Sequence, residues 1–265
     1  MLRAYVFLFL AFLYAPILLL PVFAFNDGTV IAFPLNGFTT RWFSEMTRSR
    51  ELHAALANSL TVAVAASILS VLLGLAAARA NVRYRFPGKA TAMGLIMLPL
   101  VLPEIIVATS LLVVVVRIFE WPLTLWTVTA AHVLICTPFA VAILNASFQA
   151  LDPAMEEAAI DLGENRASTF RLITLPLVMP GIVAALLISF TISLDEFIIA
   201  FFLTGSDPTL PVYIWSLLRF PKLLPVIMAL GTILVILSVL ILALAEWNRR
   251  RGLARAGVKN TGGFL

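Results

Sequence analysis

Charge is scarce in this chain. Only 12% of its 265 residues are Asp, Glu, Lys or Arg, against 62% hydrophobic, and the mean hydropathy is +1.04. A water-soluble domain of that length needs far more polar surface to cover itself, so lipid is the expected solvent for most of the chain. Cysteine is almost absent: the single Cys136 lies in an apolar stretch, which excludes a disulfide framework or a cysteine metal cluster built from this chain alone. Strand-type alternation is missing from the apolar stretches, which argues against an outer-membrane barrel. Missing too are the glycine-rich pattern ending in Gly-Lys-Ser/Thr that cradles phosphates, the His-Glu-x-x-His pattern of metallopeptidases and the Gly-x-Ser-x-Gly elbow of hydrolases. His53 and His132 stand apart in sequence and read as hydrogen-bonded structural residues rather than ligands. Neither a catalytic nor a metal site is expected, nor nucleic acid as a partner.

What is abundant is long apolar sequence. A membrane span needs about 20 mainly apolar residues to cross about 30 Å of hydrocarbon, and six runs qualify, at approximately 5–25, 57–78, 92–116, 125–148, 178–203 and 226–247. The expected fold class is therefore an all-α integral membrane protein with about six transmembrane helices, in one domain over 1–265. Many of the 15 prolines and 13 glycines lie inside these runs, where membrane helices tolerate them as kinks. The first run has an alternative reading as a signal peptide, because Arg3 precedes it and Val22-Phe23-Ala24 resembles a cleavage site. It exceeds the usual apolar core of about 7 to 15 residues and carries Pro16 and Pro21, so retention as a span is expected.

Orientation follows from Lys and Arg in alternate connections. Arg3, Arg79, Arg83, Arg85, Lys89, Arg166, Arg171, Arg249, Arg250, Arg251, Arg255 and Lys259 fall on one side, against Arg41, Arg48, Arg50, Arg117, Arg219 and Lys222 on the other. The first side is expected to be cytoplasmic, which puts both termini there. The basic tail from Arg249 reads as a stop-transfer anchor or as a contact with anionic headgroups.

The connection 149–177 differs from the other cytoplasmic segments because it is acidic. Asp152, Glu156, Glu157, Asp161 and Glu164 outnumber Arg166 and Arg171. Asp152 is a good N-cap, Pro153 suits the first helical position, and the early acids complement the helix dipole. Met155, Ala158, Ala159 and Leu162 recur at helical spacing, and Gly163 is a plausible stop. Arg166 to Leu172 is expected to form a second short helix that ends before Leu175-Pro176. An amphipathic helix of this kind suits docking into a partner's groove; it equally suits a solvated helix that joins two spans.

Charges inside spans cost roughly 2.5 to 3.5 kcal/mol at a helix centre. Glu104, Asp195 and Glu196 are therefore expected to face a cavity, a partner or each other. Glu104 follows Pro99 and Pro103, whose missing amide donors disrupt local helix bonding and free carbonyls. An acidic, carbonyl-rich pathway favours a cation. The competing reading has these carboxylates paired with arginines of another subunit or capping broken helices. Trp121, Trp126, Tyr213 and Trp215 read as an interfacial belt.

Glu157-Ala158-Ala159, then Gly163, then Ile173-Thr174-Leu175-Pro176 resembles the E-A-A…G…I-x-L-P loop of permeases in binding-protein-dependent ABC importers. All fixed positions and both gaps fit, over about twenty residues. The resemblance implies the type I ABC importer permease fold in a bacterial inner membrane. It further implies a second permease subunit, expected to be a different chain, two cytoplasmic ATPase subunits and an extracytoplasmic solute-binding protein. ATP and Mg would be bound by the partner ATPase, with no cofactor in this chain. Glu157, Ala158, Ala159 and Gly163 would contact the ATPase as a coupling helix, and Ile173, Leu175 and Pro176 would shape the return into the membrane. The stretch Ser193-Leu194-Asp195-Glu196-Phe197, with Phe202-Leu203-Thr204-Gly205 and Thr209 through Ser216, is similar to the C-type component of the spermidine/putrescine group. Lys222 stands where that group more usually has an acid, so polyamines and other small solutes both stay open.

Overall fold

The computed structural model describes residues 2–255, with side chains described from residue 3 through 240 and at 243. Of the basic tail, Lys259 and the side chains from Arg249 onward lie outside the described residues. In chain order the helices are α1 (Leu2–Ala24), α2 (Arg41–Arg48), α3 (Arg50–Arg83), α4 (Lys89–Met97), α5 (Glu104–Val113), α6 (Leu125–Gln149), α7 (Pro153–Asp161), α8 (Arg166–Thr169), α9 (Leu175–Asp195), α10 (Ile198–Leu203), α11 (Leu210–Leu217) and α12 (Leu224–Arg255). Five segments among the described residues are long and apolar enough to cross a bilayer: Arg3–Ala24, Arg50–Arg83, Leu125–Gln149, Arg166–Asp195 and Pro221–Leu240. A sixth follows if the bent pair Lys89–Leu100 and Glu104–Ile118 counts as one span. The protein is an all-helical, multi-pass membrane protein.

The chain divides into two compact units, Met1–Arg50 with Ile214–Leu265, and Glu51–Tyr213. In the first, α1 packs along α12, and α12 also meets α2. Ala24, Trp42 and Ala229 form the buried contact, closed by Trp42 Nε1–H donating to the Asn26 carbonyl at 2.7 Å. Elsewhere α1 is bare: Phe7 is 80% and Phe12 81% exposed. Large apolar side chains all round a helix are what a lipid-facing span requires.

In the second unit α6 is the most buried span. Its N-terminus is fixed by a capping box: the Thr124 hydroxyl accepts the Trp126 amide at 3.3 Å, and the Thr127 hydroxyl accepts the Thr124 amide at 2.9 Å. Small residues let its neighbours approach closely. A Cβ at Gly74 of α3 would come within 2.8 Å of Ala140 Cβ on α6. Val71, Ala78, Ala140, Leu144, Phe148, Val178 and Ala185 make one core of this unit, and Val62, Val107, Val128, Ile135, Ile199 and Leu203 belong to another.

Two runs and one short helix differ from their expected form. Run 92–116 is not one straight helix: after the 3-10 turn Leu98–Leu100 the axis turns by 104° into α5. Pro99 and Pro103 supply no amide hydrogens, and Pro103 has φ −56° and ψ 131°, outside the helical range. Run 178–203 is interrupted at Glu196, whose ψ of 122° ends α9 before α10 begins. The short helix from Arg166 does not stop before Leu175-Pro176; it continues through a π turn, Phe170–Thr174, into α9. The wider turn accommodates a proline that would otherwise clash with the carbonyl four residues back.

Candidate functional site: an acidic cavity and a projecting helix

The two breaks in the spans meet at one cavity. About 930 Å³ in volume, it is lined by Pro99, Leu100, Leu102, Pro103, Glu104 and Ile105 from the bent span, Ile135 and Phe139 from α6, and Ile192 through Ile198 from the α9–α10 junction, Ser193 and Leu194 excepted. Glu104, Asp195 and Glu196, which the sequence singles out separately, all line it. Glu104 stands in the first turn of α5 and is exposed, as is Asp195.

Glu196 is different. It is 8% exposed, and its carboxylate accepts the Ile199 amide at 3.0 Å through either oxygen and the Ala200 amide at 3.1 Å. These are the donors left unpaired by the start of α10. Of the alternatives open from sequence, capping of a broken helix is the one that describes Glu196. Its Oε2 also lies 3.6 Å from Nε2 of His132, which is fully buried and whose Nδ1 is 2.7 Å from Ser193 Oγ. His132 is thus hydrogen-bonded within the fold, and it stands beside a carboxylate rather than alone. Its partners lie some sixty residues downstream, and no local pattern in the sequence marks them.

The connection 149–177 folds as a projecting helix. The Asp152 side chain accepts the Ala154 amide at 3.0 Å and Pro153 occupies the first turn, as the sequence predicts. At the other end Gly163 adopts φ +96°. Its amide reaches the Ile160 carbonyl at 2.9 Å while the Glu164 amide reaches Ala159 at 3.1 Å, the paired closure of a Schellman motif. Asn165 then caps the next helix through Ala167 and Ser168.

The expected single apolar face is only partly turned inward. Of Met155, Ala158, Ala159 and Leu162, only Ala159 is buried, whereas Met155 is 46% and Leu162 87% exposed. Glu157 and Ala158 are exposed beside them, Ile173 and Leu175 are half-buried, and Pro176 is exposed. Glu156, one residue before the E-A-A match, is the side chain of α7 that reaches Arg83 of α3 and Thr174. Its Oε2 lies 2.8 Å from Arg83 Nε and its Oε1 accepts the Thr174 hydroxyl at 2.5 Å. One signal for it was present: Glu156 precedes the buried Ala159 by three residues, which puts the two on one helix face.

The family described as "Binding-protein-dependent transport system inner membrane component" matches residues 70–251. Among curated proteins, the chain is 36% identical over 262 residues to the putrescine transport system permease PotI of Escherichia coli strain K12, covering 92% of each. It is 36% identical to the spermidine/putrescine permease PotC of Shigella flexneri, covering 96% of this chain and 93% of that one. With the PotC of Haemophilus influenzae the identity is 33%, over 94% and 96%. In fold it resembles a chain of a bacterial ABC transporter involved in import of the acidic polysaccharide alginate, with TM-score 0.71, 15% identity and 91% and 93% coverage. A second structure of a bacterial alginate ABC transporter, in complex with its ligand-bound periplasmic protein, gives TM-score 0.69 at 21% identity, over 95% and 93%. A projecting loop helix, broken spans around a cavity and these similarities agree: the chain belongs to the binding-protein-dependent transport system inner membrane components, the permeases of ABC importers.

Proposed function

We propose that this permease carries a polyamine or related small organic cation inward. The observation that carries the reading is the convergence of Glu104, Asp195 and Glu196 on one cavity where two spans break. Glu196 is occupied with the α10 amides and His132, so Glu104 and Asp195 are the carboxylates left to meet a charged amine. Apolar walls at Ile105, Ile135, Phe139, Ile192 and Phe197 suit the methylene stretches between amines. The polyamine names carried by PotI and PotC relatives support the same substrate class.

The rest of the machine follows from the family. Both termini lie in the cytoplasm, where the charge bias puts them. There α7 docks through Glu157, Ala158 and Gly163, with Ala159 buried beneath them and Leu162 exposed beside them, on one of two ATPase subunits, which bind ATP and Mg. Ile173, Leu175 and Pro176 lead the chain back into the membrane. A second, different permease completes the pathway, and an extracytoplasmic binding protein delivers the solute. Motion imposed on α7 rocks the spans and alternates access.

The test is competition uptake into proteoliposomes holding the whole complex. Neutralising Glu104 and Asp195 together is expected to abolish uptake of putrescine and spermidine while the complex stays assembled. Undiminished uptake of either amine by the double variant would rule out the acidic cavity as the cation site. A different small solute moved by the wild type would preserve the permease and replace the substrate.

A further inference from the structure

We propose that Glu156 is the positioning residue that ties α7 to the spans, and that the Arg83–Glu156–Thr174 cluster sets how much ATP is spent per solute moved. The inference rests on the reading of α7 as the helix that docks on the ATPase.

At nine residues, α7 is about 14 Å long, too short to hold its shape or place by itself. Its only buried residue is Ala159, which offers little apolar area for anchoring. The polar contacts must therefore do most of the holding. Glu156 uses both oxygens, one on Arg83 at 2.8 Å and one on the Thr174 hydroxyl at 2.5 Å, with the ion-paired side chains only 15% and 17% exposed. Arg83 also donates through Nη2 to the Leu151 carbonyl at 3.1 Å, gripping the chain just before the Asp152 cap. An ion pair shielded in this way is screened less than a surface pair, and losing either partner strands the other.

What the cluster joins gives it a consequence. Arg83 is the last residue of α3, and Thr174 closes the π turn that leads into α9. The 21-residue α9 is about 30 Å long and ends at Asp195, on the acidic cavity. A displacement of α7 is thus passed through Thr174 to one continuous helix whose far end carries a cavity carboxylate. Two adjacent glutamates divide the work: Glu157 stays exposed toward a partner, while Glu156 faces inward.

The experiment measures uptake and ATP hydrolysis together, in proteoliposomes of the full complex with its binding protein and putrescine as solute. Glu156→Gln removes the charge yet keeps a group that can accept from Thr174. It is expected to raise the ATP hydrolysed per putrescine by about five-fold or more. Thr174→Val shifts the same ratio in the same direction by less. Exchanging the charges, Arg83→Glu with Glu156→Arg, is expected to bring the ratio back toward wild type when neither single change does. Uptake and hydrolysis falling in proportion in Glu156→Gln, or an exchange no better than its singles, overturns the tie while leaving α7 as the docking helix. Failure of the ATPase to co-purify with the wild type overturns both. Should Glu156→Gln fail to assemble, the milder Thr174→Val decides by the same ratio.

Discussion

Asp195 and Glu196 are neighbours in the chain that stand in opposite surroundings: Asp195 is exposed on the cavity, whereas Glu196 is buried with its oxygens on the Ile199 and Ala200 amides. The break between α9 and α10 creates this difference. Starting a new helix inside a span leaves its first amides without partners in a medium that offers none, and Glu196 supplies acceptors for those of α10. The same break gives Asp195 its open position.

Glu196→Ala is therefore expected to cost stability first. Two buried amides lose their acceptor, at about 1 to 3 kcal/mol for an unsatisfied buried group. Asp195→Asn is expected to leave stability unchanged and to raise the KM for uptake. Thermal unfolding of the purified complex, measured beside uptake kinetics, separates the two; equal loss of melting temperature in both variants would refute the division.

Leu162, 87% exposed at the tip of α7, is expected to be a contact for the ATPase. Leu162→Asp should lower co-purification of the ATPase by about tenfold or more, since a buried interface anchor contributes about 2 kcal/mol. The melting temperature of the permease itself should not move. Normal recovery of the ATPase would mean that this tip does not dock.

Gly163 tests the closure of α7. With φ at +96°, an alanine there is strained although nothing lies within 4 Å of its Cβ, at a cost of about 1 kcal/mol. Asn tolerates the left-handed region better. Uptake should rank Gly163 above Gly163→Asn above Gly163→Ala, with Gly163→Pro lowest. Hydrogen exchange across 159–164 should follow the same order, and identical exchange in all four would show that the turn is not what fixes the loop.

Gly74→Val probes the contact of α3 with α6, where even a Cβ would meet Ala140 at 2.8 Å. Overpacking of that kind costs about 1 to 3 kcal/mol. The yield of monodisperse complex in size-exclusion chromatography should fall, and Ala140→Gly should restore part of it.

How much of this was legible depends on how local each cause is. The α7 turn was readable because Asp152, Pro153 and Gly163 act on amides and carbonyls within four residues of themselves. The disturbance at Pro99 and Pro103 was readable for the same reason, but its 104° size was not, since packing against other helices decides where the second arm goes. The continuity of the helix through Pro176 depends on a π turn that proline rules do not foresee. Burial of His132 against Ser193 and Glu196, and the pairing of Glu156 with Arg83, depend on residues tens of positions away. For the cavity, the cost of charge in lipid identified Glu104, Asp195 and Glu196; only the fold shows that one of them is spent on backbone amides.

ATP hydrolysis by the co-purified complex in proteoliposomes, with its binding protein and a panel of polyamines, amino acids and metal ions, tests the central claim most directly. Stimulation by putrescine or spermidine, lost when Glu104 and Asp195 are neutralised, is the predicted result. Stimulation by an uncharged or anionic solute alone, unaffected by those changes, would contradict it.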